Sequence, residues 1–327
     1  MQAAPGARVL SRVASAESRF RPPPREAAAA PALARDASVS GLPSFARELC
    51  LTFELVEPRQ PKSVRQQRER CQYWGPDQIP PEFLHGLKET WRQCVDERTF
   101  RAMFSDRMEE QLAAMHCWRC KVPEHPEAVE LLLDLLLKWL TYMLFNTNTQ
   151  LWKSTLEVVS LVVAQVAASG VALTEREAQI LVPNLLERSG HNMPAIRDSL
   201  EAILRQTLAV HPWLCLLPML LRGLLSKSKR SAACAARVLA EVVDRQIALA
   251  LSRSQKDLAH VVKAAEDKDA DLRRAATQAL AALAQHLDAQ TFARITKTMS
   301  PTVQQAVRTA AAKSAPPGAA PAAPAAA

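Results

Sequence analysis

The chain has 327 residues, of which 48% are hydrophobic, so it can bury a sizeable core. Only 8 glycines and 2 tyrosines occur, whereas Ala, Leu, Glu, Arg and Lys form long helix-favouring runs. The formal net charge of +8 suits an acidic partner, although solvated helix faces and basic tails explain it more simply. Seven cysteines, an odd number, argue against a disulfide framework and favour a reducing, intracellular compartment.

A membrane-spanning helix is not expected. The most apolar run, residues 131–145, is interrupted by Asp134 and Lys138. It is also shorter than the roughly 20 residues that a spanning helix requires.

The two ends of the chain differ in composition from its middle. Residues 1–45 are basic and rich in Pro and Ala, so we predict a disordered leader, although an organelle transit peptide has a similar composition. Residues 46–81 contain several prolines around a basic stretch and predict an irregular lead-in, with a short helix, that packs on the domain; residues 51–56 can form one short edge strand. Residues 82–314 form the main domain, and residues 315–327 predict a disordered Pro/Ala tail.

From residue 82 onward the apolar residues recur at helical spacing. Leu156, Val159 and Val163 fall at i, i+3 and i+7, and Thr174 with Glu177 has the spacing of a capping box. The pattern predicts helices near residues 82–98, 100–116, 126–144, 149–168, 174–188, 194–209, 213–225, 230–250, 255–266, 270–286, 289–298 and 301–313.

The helices repeat in pairs. Residues 195–204 align with residues 271–280 at an offset of 76, and half of that offset, 38, is close to the roughly 40-residue period of HEAT units. A third polar turn, residues 226–230, lies between the two copies, although Ala232 replaces the arginine found in the other two. The sequence therefore predicts an all-α fold, an α-solenoid of about six HEAT-like helix pairs.

Five segments give the chain a resemblance to a known family. They are residues 137–141 (Leu-Lys-Trp-Leu-Thr), 145–149 (Phe-Asn-Thr-Asn-Thr), 175–183, 226–230 (Ser-Lys-Ser-Lys-Arg) and 267–269 (Asp-Lys-Asp). Together they resemble a TOG domain of the XMAP/Dis family of microtubule polymerases, most closely the last TOG domain of the tandem array. The resemblance spans roughly residues 50–313.

This resemblance implies a monomeric domain that binds the tubulin dimer or the microtubule lattice and resides in the cytoplasm, on microtubules, the spindle or centrosome-like organising centres. The intra-repeat turns would line the binding edge. Carried over by position, the binding residues are Ser105, Asp106, Arg107, Asn146, Asn148, Thr149, Gln150, Lys153, Asn192, Arg197, Lys227, Lys229, Arg230, Lys268, Asp269 and Arg273. Arg107 stands where the family usually has an aromatic anchor, which predicts a weaker interface.

Other chemistry is poorly supported. Cys117 and Cys120 form one CxxC with His116 nearby, but a structural zinc site usually needs a second pair, so no metal is expected. His211 and His260 lack a nucleophile or paired acid at a catalytic spacing, and the chain has no Gly-rich phosphate loop, GxSxG or HExxH. We therefore expect no enzyme activity and no cofactor.

Three alternatives remain open at this stage. Arg197 and Arg273 can bind tubulin or can bond their own preceding turns inside the domain. The tryptophans are typical core residues, with Trp152 the exception because it follows the Asn-Thr-Asn-Thr turn. The whole domain can also be a generic HEAT adaptor for a protein or, less plausibly, nucleic acid, or an organellar HEAT protein if the leader is cleaved.

Overall fold

A computed structural model describes residues 44–68, 79–210, 213–297 and 299–314, and this part of the chain forms sixteen helices. The predicted leader up to residue 43, residues 69–78 of the lead-in and the predicted tail lie outside it. The helices are α1 Ser44–Thr52, α2 Lys62–Arg68, α3 Pro81–Trp91, α4 Glu97–Met103, α5 Met108–Glu124, α6 Pro126–Met143, α7 Thr149–Ala168, α8 Glu175–Arg188, α9 Pro194–Val210, α10 Trp213–Leu224, α11 Lys229–Val242, α12 Arg245–Arg253, α13 Gln255–Ala265, α14 Ala270–His286, α15 Ala289–Thr296 and α16 Pro301–Ser314.

The helices stack as two layers of a solenoid. The pairs are α4–α5, α6–α7, α8–α9, α10–α11, α13–α14 and α15–α16. The second helices pack on one another in chain order, from α5 through α7, α9, α11 and α14 to α16, while α6, α8, α10 and α13 form the other layer. The predicted all-α solenoid of about six HEAT-like pairs is therefore confirmed.

Local sequence signals mark the end of α7 and the start of α8. Thr174 and Glu177 form the predicted capping box at the start of α8. At the end of α7, Gly170 adopts a φ of 67°, a left-handed conformation that glycine accepts without steric cost.

Three sequence predictions need correction. The helix predicted at 82–98 ends at Trp91, and Asp96 accepts a hydrogen bond from the Thr99 amide to start α4. The helix predicted at 100–116 is divided by a turn at residues 104–107, and the one at 230–250 is divided at Asp244, whose carboxylate caps α12. At Asp96 and Asp244 a capping carboxylate starts a new helix where the apolar pattern continues, whereas α5 begins at the 104–107 turn without a side-chain cap.

The predicted edge strand at residues 51–56 is also wrong. Helix α1 continues to Thr52, and the only bridge in the described residues joins Leu55 to Val95 as an isolated antiparallel pair. Two short segments that meet at one bridge have no further partner with which to extend a sheet.

The lead-in is held to the solenoid by buried polar contacts. Arg65 of α2 donates from Nε and Nη2 to the two carboxylate oxygens of Asp134 on α6, at 3.0 and 2.5 Å, and Asp134 is 0% exposed. Lys62 pairs with the buried carboxylate of Glu177 on α8 at 2.9 Å. Helix α2 therefore bridges two successive units of the same layer.

Helix α7 is long and apolar enough to cross a membrane by length and composition alone, but half of its most apolar window is buried within the domain. Val159 and Val162 on this helix are both 0% exposed, and α7 packs between α5 and α9. Its apolar character is thus accounted for by its position in the core.

Candidate functional site

Within each of the first five helix pairs, the turn that joins the two helices has the same local structure. In each turn a side chain accepts a hydrogen bond from the backbone amide two residues later, which fixes the chain reversal. The acceptors and distances are Ser105 at 3.0 Å, Asn146 at 2.8 Å, His191 at 3.1 Å, Ser226 at 3.2 Å and Asp267 at 3.0 Å. We refer to residues 105–107, 146–148, 191–193, 226–228 and 267–269 together as the turn edge, and we number its turns in chain order.

This geometry exposes the middle residue of every turn. The five tip residues are all solvent-exposed, and they are Asp106, Thr147, Asn192, Lys227 and Lys268. The sequence-predicted set contains four of them and omits Thr147. A repeated pattern of polar acceptor, any residue and capping side chain would have located the tips Thr147, Lys227 and Lys268, which precede the caps Asn148, Ser228 and Asp269.

The last residue of several turns is occupied in capping the next helix. Asn148 accepts hydrogen bonds from the amides of Gln150 and Leu151 at 2.9 and 3.0 Å. Ser228 and Asp269 cap α11 and α14 in the same way. These side chains shape the turn edge, and only part of their polar surface remains for a partner.

A second recurring contact ties each turn to its following helix. Six residues after the acceptor, a side chain donates to a carbonyl oxygen of the turn. The donors are Gln111 to Ser105 at 2.6 Å, Trp152 to Asn146 at 2.6 Å, Arg197 to His191 and Asn192 at 2.9 Å each, and Arg273 to Asp267 at 3.0 Å. Arg197 and Arg273 thus make the internal contacts that the sequence left open, and Trp152 does the same; the fourth turn has Ala232 at this position and no such donor.

Neighbouring turns are linked to each other along the chain. The first and second turns are linked because the side-chain nitrogen of Asn146 donates to the side-chain oxygen of Gln111 at 3.4 Å. The second and third turns are linked because the ring centroids of Trp152 and His191 lie 4.9 Å apart. Further along, the guanidinium of Arg230 donates to the side-chain oxygen of Asn192 at 2.9 Å.

The fourth turn is linked to the fifth by an ion pair between Lys229 and Asp267. The backbone amide of Asp269, and after it the Lys229 ammonium, lower the pKa of the Asp267 carboxyl. Through these contacts the five turns form one continuous row.

The third and fourth turns approach each other closely at Gly190. A Cβ atom at this position would lie 2.2 Å from the Ser228 hydroxyl and 2.7 Å from that of Ser231. The absence of a side chain therefore sets the spacing of these two turns.

The free positive charge of the turn edge is concentrated at one end. Lys227 and Lys268 are exposed and have no side-chain partner among the described residues, and the same holds for Lys153 beside the second turn. At the other end Arg107 is 74% exposed but pairs with Glu110 at 3.0 Å, next to Asp106. An acidic partner would therefore meet its strongest attraction at the fourth and fifth turns.

We expect Asn148→Ala to lower the free energy of unfolding by about 1 kcal/mol. The variant loses the side-chain oxygen that caps α7, so the backbone amides of Gln150 and Leu151 lose their hydrogen-bond acceptor. Chemical denaturation measures this change. Asn148→Asp keeps an acceptor oxygen and serves as the control; an equal loss in both variants would show that the cap is unimportant.

Metal coordination receives no support from side-chain geometry: the described residues contain no group of three His, Cys, Asp or Glu side chains arranged to hold an ion. His260 lies on α13, away from the turns, and His211 lies outside the described residues.

The geometry agrees with comparisons to known proteins. No family model matches the chain. Protein MOR1 of Oryza sativa subsp. japonica is 26% identical over 221 residues, which cover 67% of this chain and 11% of that protein. Centrosomal protein 224 of Dictyostelium discoideum is 27% identical over 56% of this chain and 9% of that protein. The chain thus spans about a tenth of the length of these relatives.

Solved structures decide the fold. The TOG domain of Zyg9 from C. elegans superposes with a TM-score of 0.71 at 21% identity, covering 80% of this chain and 98% of that one. A second TOG domain gives a TM-score of 0.67 at 21% identity, with 76% and 95% coverage. The chain has a TOG-domain fold. The superpositions cover almost all of each reference chain.

Proposed function

We propose that this TOG domain binds tubulin through its turn edge and acts in the control of microtubule growth. The observation that carries the proposal is the continuous row of five turns whose tips are all exposed. Lys227 and Lys268 are exposed at one end of that row and have no side-chain partner among the described residues, so their ammonium groups can meet the acidic surface of tubulin.

The matched structures support this assignment. One is a TOG domain described by its tubulin binding specificity, which promotes microtubule dynamics and mitotic spindle formation. Another, at a TM-score of 0.52, comes from work on microtubule plus end tracking by XMAP215, CLIP-170 and EB1. By extension we place this chain in the cytoplasm, at microtubules or at the spindle and centrosome-like organising centres.

The contacts refine the set of proposed binding residues. We assign direct contact first to the tips Asp106, Lys227 and Lys268, and to Lys153 with Thr149 and Gln150 at the start of α7. The tip Asn192 contributes its side-chain nitrogen, because its side-chain oxygen already accepts from Arg230. The other predicted residues, Ser105, Asn146, Asn148, Arg197, Lys229, Arg230, Asp269 and Arg273, already bond within the turn edge and support it.

Arg107 limits the proposed affinity. An aromatic anchor at an interface centre carries a large share of binding energy, and Arg107 instead offers an exposed guanidinium paired with Glu110. We therefore propose a salt-sensitive interaction of a monomeric, non-enzymatic domain, without cofactor. Its proposed target is the tubulin dimer or the microtubule lattice, both of which present an acidic surface.

Co-sedimentation of the full chain with assembled microtubules tests the proposal, together with size-exclusion chromatography against unpolymerised tubulin, both at low and moderate salt. We expect binding to the lattice, to the free dimer or to both, and we expect the affinity to fall as salt rises. Co-elution without sedimentation would identify the free dimer as the target, and sedimentation without co-elution would identify the lattice. Binding to neither would leave a HEAT scaffold for another partner and would overturn the assignment.

A further inference from the structure

Three thiols from two helices meet at the start of the domain, away from the turn edge. Cys50 lies near the end of α1, and Cys117 and Cys120 lie on α5. The sulfur of Cys50 is 2.7 Å from that of Cys117, which is only about 0.7 Å longer than a disulfide bond of about 2.05 Å. Cys50 is 6% exposed and Cys117 is 0% exposed, so the two sulfurs are enclosed together in the core.

Helix packing, rather than side-chain freedom, brings this pair together. Helix α1 lies against α5, and the Cys117 sulfur is also 3.9 Å from the backbone oxygen of Ala46 on α1. Leu49 on α1 is 0% exposed, and the ring of Phe53 meets that of Trp118 edge-on at 5.1 Å. Little movement is needed for the two sulfurs to reach bonding distance.

Cys120 provides the side of this cluster that faces solvent. It is half-buried, and its sulfur lies 3.8 Å from Nε2 of His116. A hydrogen bond with Cys50 raises the pKa of Cys120 to about 12, and a hydrogen bond with Cys117 raises that of Cys50 to about 12. Cys50 and Cys120 are therefore protonated at neutral pH, so each reacts slowly until its proton is removed.

We propose that Cys50 and Cys117 form an intramolecular disulfide, tying α1 to α5, when the protein meets a low-molecular-weight disulfide. The Cys120 thiolate attacks that disulfide and expels a small thiolate, which takes up the proton that Cys120 lost and leaves as a thiol. Cys50 then attacks the Cys120 sulfur and displaces the second small thiol. Finally, Cys117 attacks the Cys50 sulfur and returns Cys120 to the thiol form, so that two protein thiols are oxidised and one small disulfide is reduced to two thiols.

The bond would close a loop between residues 67 positions apart and prevent α1 from leaving the first helix pair. Cross-linking such a loop restricts the unfolded chain and stabilises the fold. The site is thus a modification site that responds to oxidation, independent of tubulin.

The test uses the full chain, first reduced with dithiothreitol and then exposed to oxidised glutathione until the reaction stops. The sample is quenched in acid, alkylated with N-ethylmaleimide in denaturant, digested and mapped by mass spectrometry. We expect a peptide pair joined through Cys50 and Cys117, reversed by dithiothreitol, and a rise in Tm of about 5 °C or more. Recovery of both residues as maleimide adducts or glutathione adducts would overturn the proposal.

Variants separate the three thiols. Cys117→Ser should abolish both the cross-link and the rise in Tm. Cys234→Ser, a change at a cysteine buried elsewhere on α11, should leave both unchanged. Cys120→Ser should still give the cross-link but several-fold more slowly, and an unchanged rate would overturn the entry role of Cys120. If Cys117→Ser does not fold, the map of the unaltered chain still decides the question.

Discussion

Arg65→Ala is expected to lower the free energy of unfolding by about 3–5 kcal/mol, which is a large part of the stability of a typical domain. The guanidinium bonds both carboxylate oxygens of Asp134 and donates to the backbone oxygens of Gln60 and Leu131. Because Asp134 is 0% exposed, removal of Arg65 leaves a buried carboxylate whose remaining ion-pair partner among the described residues is Lys138, at 3.8 Å. Urea unfolding followed by circular dichroism measures the loss.

The matched control is Arg101→Ala. Arg101 also pairs with a carboxylate, Glu97, at 2.9 Å, but the two side chains are 75% and 53% exposed. An exposed pair at this spacing contributes about 0.3–0.5 kcal/mol, so the control should remain near the stability of the unaltered chain. Equal losses in the two variants would show that α2 is not held by its buried ion pair.

Lys227→Glu combined with Lys268→Glu is expected to weaken tubulin binding by at least about tenfold, and the loss should shrink as salt is raised. Both ammonium groups are exposed and lack partners among the described residues, so their reversal removes attraction without breaking an internal contact. Lys229 and Arg230 are poorer test positions because they bond Asp267 and Asn192. The affinity is measured by the same co-sedimentation, with thermal unfolding as the check on the fold.

Lys256→Glu combined with Lys313→Glu provides the control with the same change of charge. Lys256 lies at the start of α13, about 15 Å along the helix axis from the fifth turn of the turn edge. Lys313 lies at the C-terminal end of α16, far from the N-terminal end of that helix. The Lys256→Glu, Lys313→Glu variant should bind tubulin almost as well as the unaltered chain. Similar losses in both doubles would indicate attraction to net charge alone, and no loss in either would exclude the fourth and fifth turns as contacts.

The sequence predicted the parts of this structure that depend on neighbours along the chain. Helical spacing and the Thr174–Glu177 box placed most helices within a few residues, and the 76-residue offset between α9 and α14 revealed the pairs. The break before α12 was missed because an apolar pattern continues across Asp244, and only its capping geometry ends the helix.

Contacts between distant residues could not be read in this way. Arg65 meets Asp134 across 69 positions, and Cys50 meets Cys117 across 67, so only the folded chain reveals either pair. For Arg197 and Arg273 the sequence identified the correct positions but could not distinguish an internal bond from a binding contact, since both need a cation at the start of a helix.

The close approach at Gly190 has a further consequence for recognition. Because each turn is bonded to the next, the tips are held at fixed intervals before any partner arrives, and little ordering entropy is lost on binding. The stacking of the helix pairs therefore fixes the distances between the tip residues of the turn edge. A substitution that pushed the third and fourth turns apart at Gly190 would shift Lys227 against Asn192 while leaving every charge in place. Two TOG domains with identical tip residues can therefore differ in the partner surface they match.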